Sequence, residues 1–143
     1  MGKFFFFNVF FPWLAESGFV ILRMTDKKAP NTIVQLTFQF ALQMIDFAVQ
    51  LKESHHFIIA NQLVRSGTAI GASVREAQHS ESRKDFIHKM KIAAKEADET
   101  CYWLELCNTS SFYPNCDLLI QRCQQICRIL SKIIFTSRQR LSR

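Results

Sequence analysis

Glycine and proline are scarce in this sequence of 143 residues, which contains four glycines and three prolines. From Asn31 onward, the chain has only Gly67, Gly71 and Pro114. Because these residue types form tight turns and end helices, their scarcity predicts a few long helices and disfavours a fold with many turns. The length predicts one domain, and the composition, 48% hydrophobic and 21% charged, predicts a packed globule.

Cysteines are few and lack the spacing of a metal-binding motif. The five cysteines lie in the C-terminal third, and no two of them form a CxxC motif: Cys101, Cys107, Cys116, Cys123 and Cys127. No histidine pair has the spacing of a zinc finger. Cys123 and Cys127 are one helical turn apart among apolar residues, so we expect buried free thiols in a reducing cytoplasm.

A long uninterrupted apolar run is also missing, although residues 1–23 are rich in phenylalanine. Asn8, Pro12 and Glu16 interrupt this segment, which therefore does not reach the about 18 apolar residues of a membrane span. A basic residue ahead of the apolar stretch is typical of a signal peptide, but the cleavage motif is poor and the odd cysteine count disfavours export. We prefer Met24 as the true start; otherwise residues 1–23 form a membrane-prone or disordered extension.

Acidic residues are absent after Asp117, whereas six basic residues follow it. The whole chain has a net charge of +6 and a pI near 9.3, so a polyanion such as RNA or DNA is a reasonable partner. We divide the chain into an extension (1–23), a helical domain (24–138) and a basic tail (139–143). A tail that only keeps the chain soluble is the alternative to one that contacts a polyanion.

Four segments have apolar residues at helical spacing, with short polar stretches between them. The predicted helices span residues 32–53, 57–78, 83–108 and 117–138. A capping box at Thr32 and Gln35 opens the first helix, and Ser82 with Asp85 caps the third helix. Four helices with short loops predict an all-α, up-down-up-down antiparallel four-helix bundle. The first helix is apolar on more than one face, which predicts a subunit interface.

The stretch RSGTAIGASVREA at residues 65–77 combines two glycines with a basic residue, as phosphate-binding loops do. A phosphate loop also needs a preceding strand and a Lys-Ser/Thr pair after its last glycine, and neither is present. The apolar stripe of the second helix instead runs through Gly67, where a glycine costs up to about 1 kcal/mol relative to alanine. We therefore predict that a neighbouring helix backbone approaches closely at Gly67 and Gly71.

Charge is unevenly distributed along the third helix. Residues 83–95 contain five basic groups and one acid, whereas residues 96–105 contain four acids and no base. Helical spacing places Lys84, Lys91 and Lys95 opposite the apolar seam. The helix dipole favours the reverse order, so the pattern does not stabilise the isolated helix. It suits an oppositely charged neighbour or a polyanion, and a merely solvated face is the alternative.

Motifs for metal binding and catalysis are weak. Glu76 and His79 have the Glu-x-x-His spacing of carboxylate-bridged di-metal bundles, and Asp85 with His88 is a poorer copy. The fourth helix supplies no acid after its first residue, so we predict no metal site and no cofactor. No serine or cysteine has a base at a suggestive spacing, and we expect neither enzymatic activity nor a small-molecule substrate.

Residues 61–106 resemble a known family of small bacterial four-helix bundle proteins. The resemblance rests on Gln62–Ser66, on the Ser-x-Lys-Asp-Phe-Ile block at 82–87 and on the segment from Lys95 to Leu104. The family is called the S23 or 23S rRNA intervening-sequence protein family. The accessory protein of diversity-generating retroelements has the same fold.

This resemblance implies a cytoplasmic protein that assembles as a ring-like homopentamer. It also implies a basic surface suspected of binding nucleic acid and no known catalytic activity. In the retroelement relative, the bundle binds a reverse transcriptase.

Two functional hypotheses follow. The first is a non-enzymatic, oligomeric module that binds RNA or DNA phosphates through eight basic residues: Arg65, Arg75, Arg83, Lys84, Lys91, Lys95, Arg138 and Arg140. The alternative is a protein-interaction scaffold, or an accessory subunit of a reverse transcriptase, without direct nucleic-acid binding. A metal-dependent enzyme is the least supported possibility, and we expect no membrane partner.

Overall fold

The structure, a computed structural model, describes residues 31–142, and within this range it contains four helices and no strand. The helices are α1 (Thr32–Glu53), α2 (Phe57–Ala77), α3 (Arg83–Thr109) and α4 (Asp117–Gln139). Each helix begins at its predicted residue and ends within one residue of its predicted end, so the all-α prediction is confirmed. The predicted extension and the proposed start at Met24 lie outside the described residues.

The start of α1 differs from the predicted capping box. Asn31 rather than Thr32 precedes the helix, and the Asn31 carbonyl accepts hydrogen bonds from the backbone N–H groups of Val34 (3.0 Å) and Gln35 (3.2 Å). The Asn31 side chain makes no cap hydrogen bond; instead its Nδ2 donates to Gln78 Oε1 at 2.8 Å. The capping prediction at Thr32 is therefore wrong. The local sequence does not indicate the bond from Asn31 to Gln78, because Gln78 lies at the end of α2, far along the chain.

The start of α3 is capped as predicted. The Ser82 side chain accepts a hydrogen bond from the Asp85 backbone N–H at 3.1 Å. Asp85 Oδ2 in turn accepts a hydrogen bond from the Glu81 backbone N–H at 3.3 Å. The first bond satisfies a donor that the first turn of a helix leaves without a partner, and the acid in that turn suits the helix dipole.

The end of α1 is closed by a left-handed residue, His55, whose φ is 64°. The His55 N–H donates to the Lys52 carbonyl at 2.9 Å, and the His56 N–H donates to the Leu51 carbonyl at 2.8 Å. This pair of bonds is a Schellman motif, a common way to end a helix. The His56 ring also packs against Tyr113 of the α3–α4 loop, with ring centroids 4.6 Å apart.

The core lies along the facing sides of the helices. Helix α1 packs on α2, α2 on α3 and α3 on α4, whereas α1 and α4 contact each other more sparsely. The predicted stripe of α2 is buried throughout: Ala60, Leu63, Gly67, Ile70, Val74 and Ala77. Most of the predicted seam of α3 is buried as well, from Met90 to Cys107. Each fully buried large aliphatic side chain contributes roughly 1.5–3 kcal/mol to the free energy of unfolding.

Gly67 and Gly71 both face α1. A Cβ at position 67 would lie 2.5 Å from Met44 Cγ, so no side chain fits there unless Met44 moves. At position 71, a Cβ would lie 3.4 Å from the Thr37 carbonyl oxygen, which is an ordinary contact. The predicted contact with a helix backbone therefore occurs at Gly71. The prediction is wrong at Gly67, because the neighbour that excludes a side chain there is the Met44 side chain.

Helix α1 carries more apolar surface than the bundle buries. Seven of its residues are buried, but four large apolar side chains remain 42–52% exposed: Phe38, Leu42, Ile45 and Val49. Among the helices of residues 31–142, α1 alone has the length and apolar composition of a membrane span, a property that core helices of soluble proteins share. The prediction that this helix is apolar on more than one face is confirmed.

Candidate nucleic-acid interface

The outer face of α3 carries three lysines in its first half. Lys84, Lys91 and Lys95 are exposed, and His88 lies exposed between them. The opposite face of the same segment is buried, with Met90 at 1% exposure. Because one face of the helix is fixed in the core, these lysines point into solvent. Their side chains therefore form a basic stripe, which we define as Lys84, Lys91 and Lys95.

The basic stripe is not neutralised by nearby acids. None of its three lysines forms an ion pair with a residue in the range 31–142. The neighbouring Lys89 differs, because its Nζ lies 3.7 Å from Glu76 Oε2 on α2. The three lysines of the stripe are therefore exposed and unpaired within the described residues.

The acidic second half of α3 has a partner within the chain. Arg65 of α2 forms an ion pair with Glu99, and its Nη1 lies 3.9 Å from Glu96 Oε2. Trp103 Nε1 also donates a hydrogen bond to Glu99 Oε1 at 3.1 Å. The predicted oppositely charged neighbour of this half is thus Arg65. A phosphate that binds Arg65 would have to compete with these carboxylates.

Beneath this ion pair lies a buried hydrogen bond between the same two helices. Thr100 Oγ1 donates to Ser66 Oγ at 2.9 Å, and Ser66 Oγ donates to the Gln62 carbonyl at 2.9 Å. Both hydroxyl groups are fully buried and paired, as buried polar groups must be. They fix the register of α2 against α3 directly below Arg65.

The remaining predicted phosphate contacts are exposed and lie near helix ends. Arg75 is in the last turn of α2, and Arg83 is the first residue of α3. Arg138 is in the last turn of α4, where a cation suits the helix dipole, and Arg140 follows that helix. None of the four forms an ion pair within residues 31–142. The part of the tail that the structure describes, residues 139–142, thus continues from an ordered helix end.

Two shallow grooves flank α1. One lies between α1 and α2, has a volume of about 120 Å³ and is lined in part by Phe38 and Arg75. The other lies between α1 and α4, has a volume of about 270 Å³ and is lined in part by Gln43 and Arg122. Both volumes lie below the about 300–1,000 Å³ of a typical small-molecule site.

The residues considered for a metal site are not the ones that come together. Glu76 is exposed and paired with Lys89, and His79 and His88 are exposed. Within residues 31–142, the group of potential metal ligands that does cluster consists of Cys101, Cys123 and Cys127, whose sulfurs all lie within 4.8 Å of one another. In the sequence, this cluster is indicated only by the spacing of Cys123 and Cys127, which are four residues apart on α4. The approach of Cys101 on α3 depends on how the two helices pack.

The cysteines fall into two environments. Burial raises the pKa of the Cys107 thiol to about 11 and that of Cys116 to about 11, as expected for thiols in apolar surroundings. In the cluster, the hydrogen bond with Cys101 lowers the pKa of Cys127, because it stabilises the Cys127 thiolate. The prediction of buried free thiols is confirmed except at Cys127, which is half-buried.

Comparison with known proteins gives a consistent result. The family model described as 23S rRNA-intervening sequence protein matches residues 30–132. A solved structure, described as a protein with unknown function from the S23 ribosomal protein family of Bacteroides thetaiotaomicron VPI-5482, is 35% identical, with a TM-score of 0.68. The match covers 71% of this chain and 97% of that one. No curated protein matches the sequence.

Proposed function

The chain belongs to the 23S rRNA-intervening sequence protein family, and we propose on that basis that it is a cytoplasmic, non-enzymatic, oligomeric protein that binds RNA or DNA. The observation that carries this proposal is the basic stripe of α3, three exposed lysines without an ion-pair partner in residues 31–142. Exposed lysines bind phosphates by charge and release counterions from nucleic acid when they do so.

The proposal includes an up-down-up-down arrangement of the four helices. Contacts between α2 and α3 support it, because they run in reverse order along the two helices. Ser66 contacts Thr100, whereas Glu76, further along α2, contacts Lys89, which is earlier in α3. The short connections between consecutive helices suit the same arrangement.

In this arrangement, the exposed arginines near helix ends lie at the same end of the bundle as Lys84. Cys123 of α4 donates a hydrogen bond to the Ala97 carbonyl of α3, which sets the two helices at one level. From that level, α4 rises about 22 Å to Arg138, and α3 runs about 20 Å back to Lys84. Arg138 and Lys84 therefore lie near the same end of the bundle. Three further cations lie near that end as well: Arg75, Arg83 and Arg140. Arg65 contributes least, because Glu99 and Glu96 already hold it.

Self-assembly is the second part of the proposal, and the family resemblance implies a ring-like homopentamer. The exposed apolar stripe of α1 supports assembly, because Phe38, Leu42, Ile45 and Val49 recur at helical spacing on one side of the helix. A second copy that covers this stripe would remove it from water. Several copies in one assembly would also multiply the phosphate contacts that a single chain makes.

The experiment that tests the proposal is binding of RNA and DNA to the purified protein at several salt concentrations. We expect the logarithm of the affinity to fall linearly with the logarithm of the salt concentration. The variant with Lys84→Glu, Lys91→Glu and Lys95→Glu should bind at least about 100-fold more weakly, because it replaces three contacts by repulsion. Undiminished binding by this variant would contradict the assignment of the stripe.

A control separates this surface from overall charge. Lys52→Glu makes the same charge change as Lys91→Glu, but Lys52 lies in the last turn of α1, outside the stripe. We expect Lys91→Glu to weaken binding clearly more than Lys52→Glu does. Equal losses would mean that net charge, rather than the stripe, governs binding.

A protein-interaction scaffold is the second candidate, and the exposed apolar stripe of α1 is the observation that favours it. In this case the stripe would bind a different protein, of which a reverse transcriptase is one example, without direct contact to nucleic acid. A partner that copurifies equally well before and after nuclease treatment, together with absent binding of RNA and DNA, would support this candidate over the first.

A further inference from the structure

We propose that Cys101, Cys123 and Cys127 form a binding site for one divalent thiophilic metal ion of the Zn²⁺ class, built between α3 and α4. All three sulfurs lie within 4.8 Å of one another, and the Cys101 and Cys127 sulfurs are 3.9 Å apart. Two thiolates that bind the same Zn²⁺ at about 2.3 Å lie about 3.8–4.0 Å from each other. The spacing of the cluster therefore already approaches that of a loaded site.

The cluster is supported by rigid surroundings. Cys123 is fully buried and Cys101 is 9% exposed, and both lie on the packed faces of long helices. Cys123 and Cys127 are one turn apart on α4, so their sulfurs face the same neighbour. The widest sulfur pair has to close by less than about 1 Å to bind one ion, which a small side-chain rotation provides.

An ion can reach the site from one side. Cys127 is half-buried, whereas Cys101 and Cys123 lie deeper. Solvent on the Cys127 side can supply a water molecule as the fourth ligand of the ion. Three protein ligands and one water is a coordination that Zn²⁺ adopts in proteins.

The chemistry of three sulfurs selects the class of ion. Thiolates are soft ligands that favour Zn²⁺ and Cu⁺ over Mg²⁺ or Ca²⁺. Each thiol that binds loses its proton to solvent, so three thiolates leave a charge of −1 around a divalent ion but −2 around Cu⁺. Since buried charge is costly, the divalent ion fits this largely apolar surrounding better.

Binding also breaks two existing hydrogen bonds. The Cys123 thiol donates to the Ala97 carbonyl at 3.2 Å, and the Cys101 and Cys127 thiols share a hydrogen bond at 3.9 Å. Both bonds are lost when the three thiols become thiolates, so the metal–sulfur bonds have to outweigh them. A sulfur contact to the ion is far stronger than a thiol–carbonyl hydrogen bond, in which the S–H group is a weak donor.

The test uses the full-length, reduced protein and Zn²⁺ in competition with a colorimetric chelator. We expect one tightly bound Zn²⁺ per chain and a higher melting temperature with the ion than without it. Cd²⁺ should give the ultraviolet charge-transfer band of cadmium thiolates. Absence of stoichiometric Zn²⁺ binding, or of the cadmium band, overturns the proposal.

Two variants locate the ion. Cys127→Ala changes the half-buried ligand, so the variant should fold. Loss of a residue that only supports a metal ligand weakens metal binding by about 10- to 100-fold. Loss of the ligand Cys127 itself should weaken Zn²⁺ binding by more than that. Cys107→Ala is the matched control, because Cys107 is buried but stands outside the cluster. It should keep the affinity and the melting shift. Equal losses in the two variants, or a melting shift that survives Cys127→Ala, overturn the assignment.

Discussion

The two halves of α3 both contact α2, but their charges are paired to different extents. In the second half, Glu99 and Glu96 face Arg65 of α2, and Glu99 also accepts a hydrogen bond from Trp103. In the first half, the lysines of the basic stripe face solvent and have no ion-pair partner in the described part of the chain, residues 31–142. Two acids of the second half are therefore paired within the chain, whereas the three lysines of the basic stripe are not.

This difference separates charges that serve the fold from charges that are open to a partner. A charge that is paired across two helices restricts how those helices pack, although a partly exposed pair stabilises the fold only modestly. An exposed, unpaired lysine adds little to stability and keeps its charge for an outside ligand. The two halves should therefore respond to mutation in opposite ways, one in stability and the other in binding.

The largest expected effect on stability comes from a side chain added at Gly67 of α2, the helix that carries Arg65. Gly67→Leu places a side chain where a Cβ alone would lie 2.5 Å from Met44 Cγ. We expect the free energy of unfolding to fall by roughly 1–3 kcal/mol, the usual cost of overpacking. Denaturant unfolding followed by circular dichroism measures this change.

Gly71→Ala is the control for that prediction. Its Cβ would make an ordinary contact 3.4 Å from the Thr37 carbonyl oxygen, and alanine favours the helix by up to about 1 kcal/mol relative to glycine. We expect unchanged or slightly higher stability. If Gly71→Ala destabilised the protein as much as Gly67→Leu, the tight contact would not be specific to Met44.

A smaller effect should follow from breaking the ion pair of the acidic half. Arg65→Gln removes the cation beside Glu99 and Glu96, and Arg65 is 56% exposed, so solvent screens part of the attraction. We expect the free energy of unfolding to fall by roughly 0.5–1 kcal/mol, and nucleic-acid affinity to change by less than about twofold. A large loss of affinity at full stability would instead make Arg65 a phosphate contact.

The helices could be predicted from the sequence because their determinants are local. Apolar residues at helical spacing, few glycines and prolines, and the Ser82 cap together gave helix ends within one residue of those observed. The outward direction of the three lysines followed from the same spacing. The cap of α1 was predicted wrongly, although its first residue was not, because the Asn31 side chain bonds to Gln78, a residue 47 positions away.

The contacts between helices could not be predicted, because they depend on register. Arg65 and Glu99 are 34 positions apart, and nothing in either segment indicates that they meet. Cys101 and Cys127 are 26 positions apart, and they approach only because α3 and α4 pack at one particular offset. Sequence spacing therefore located the charges and the thiols on their helices but did not show which of them would be paired.

The most direct test of the account compares two lysines in the same half of α3. Lys91 is unpaired within residues 31–142, whereas Lys89 lies 3.7 Å from Glu76. For Lys91→Gln, we predict weaker RNA or DNA binding and a salt-dependence slope that is smaller by about 1, because one phosphate contact is lost. For Lys89→Gln, the slope should stay that of the unmodified protein. Equal slopes for all three proteins would contradict the claim that unpaired lysines of α3 bind phosphate.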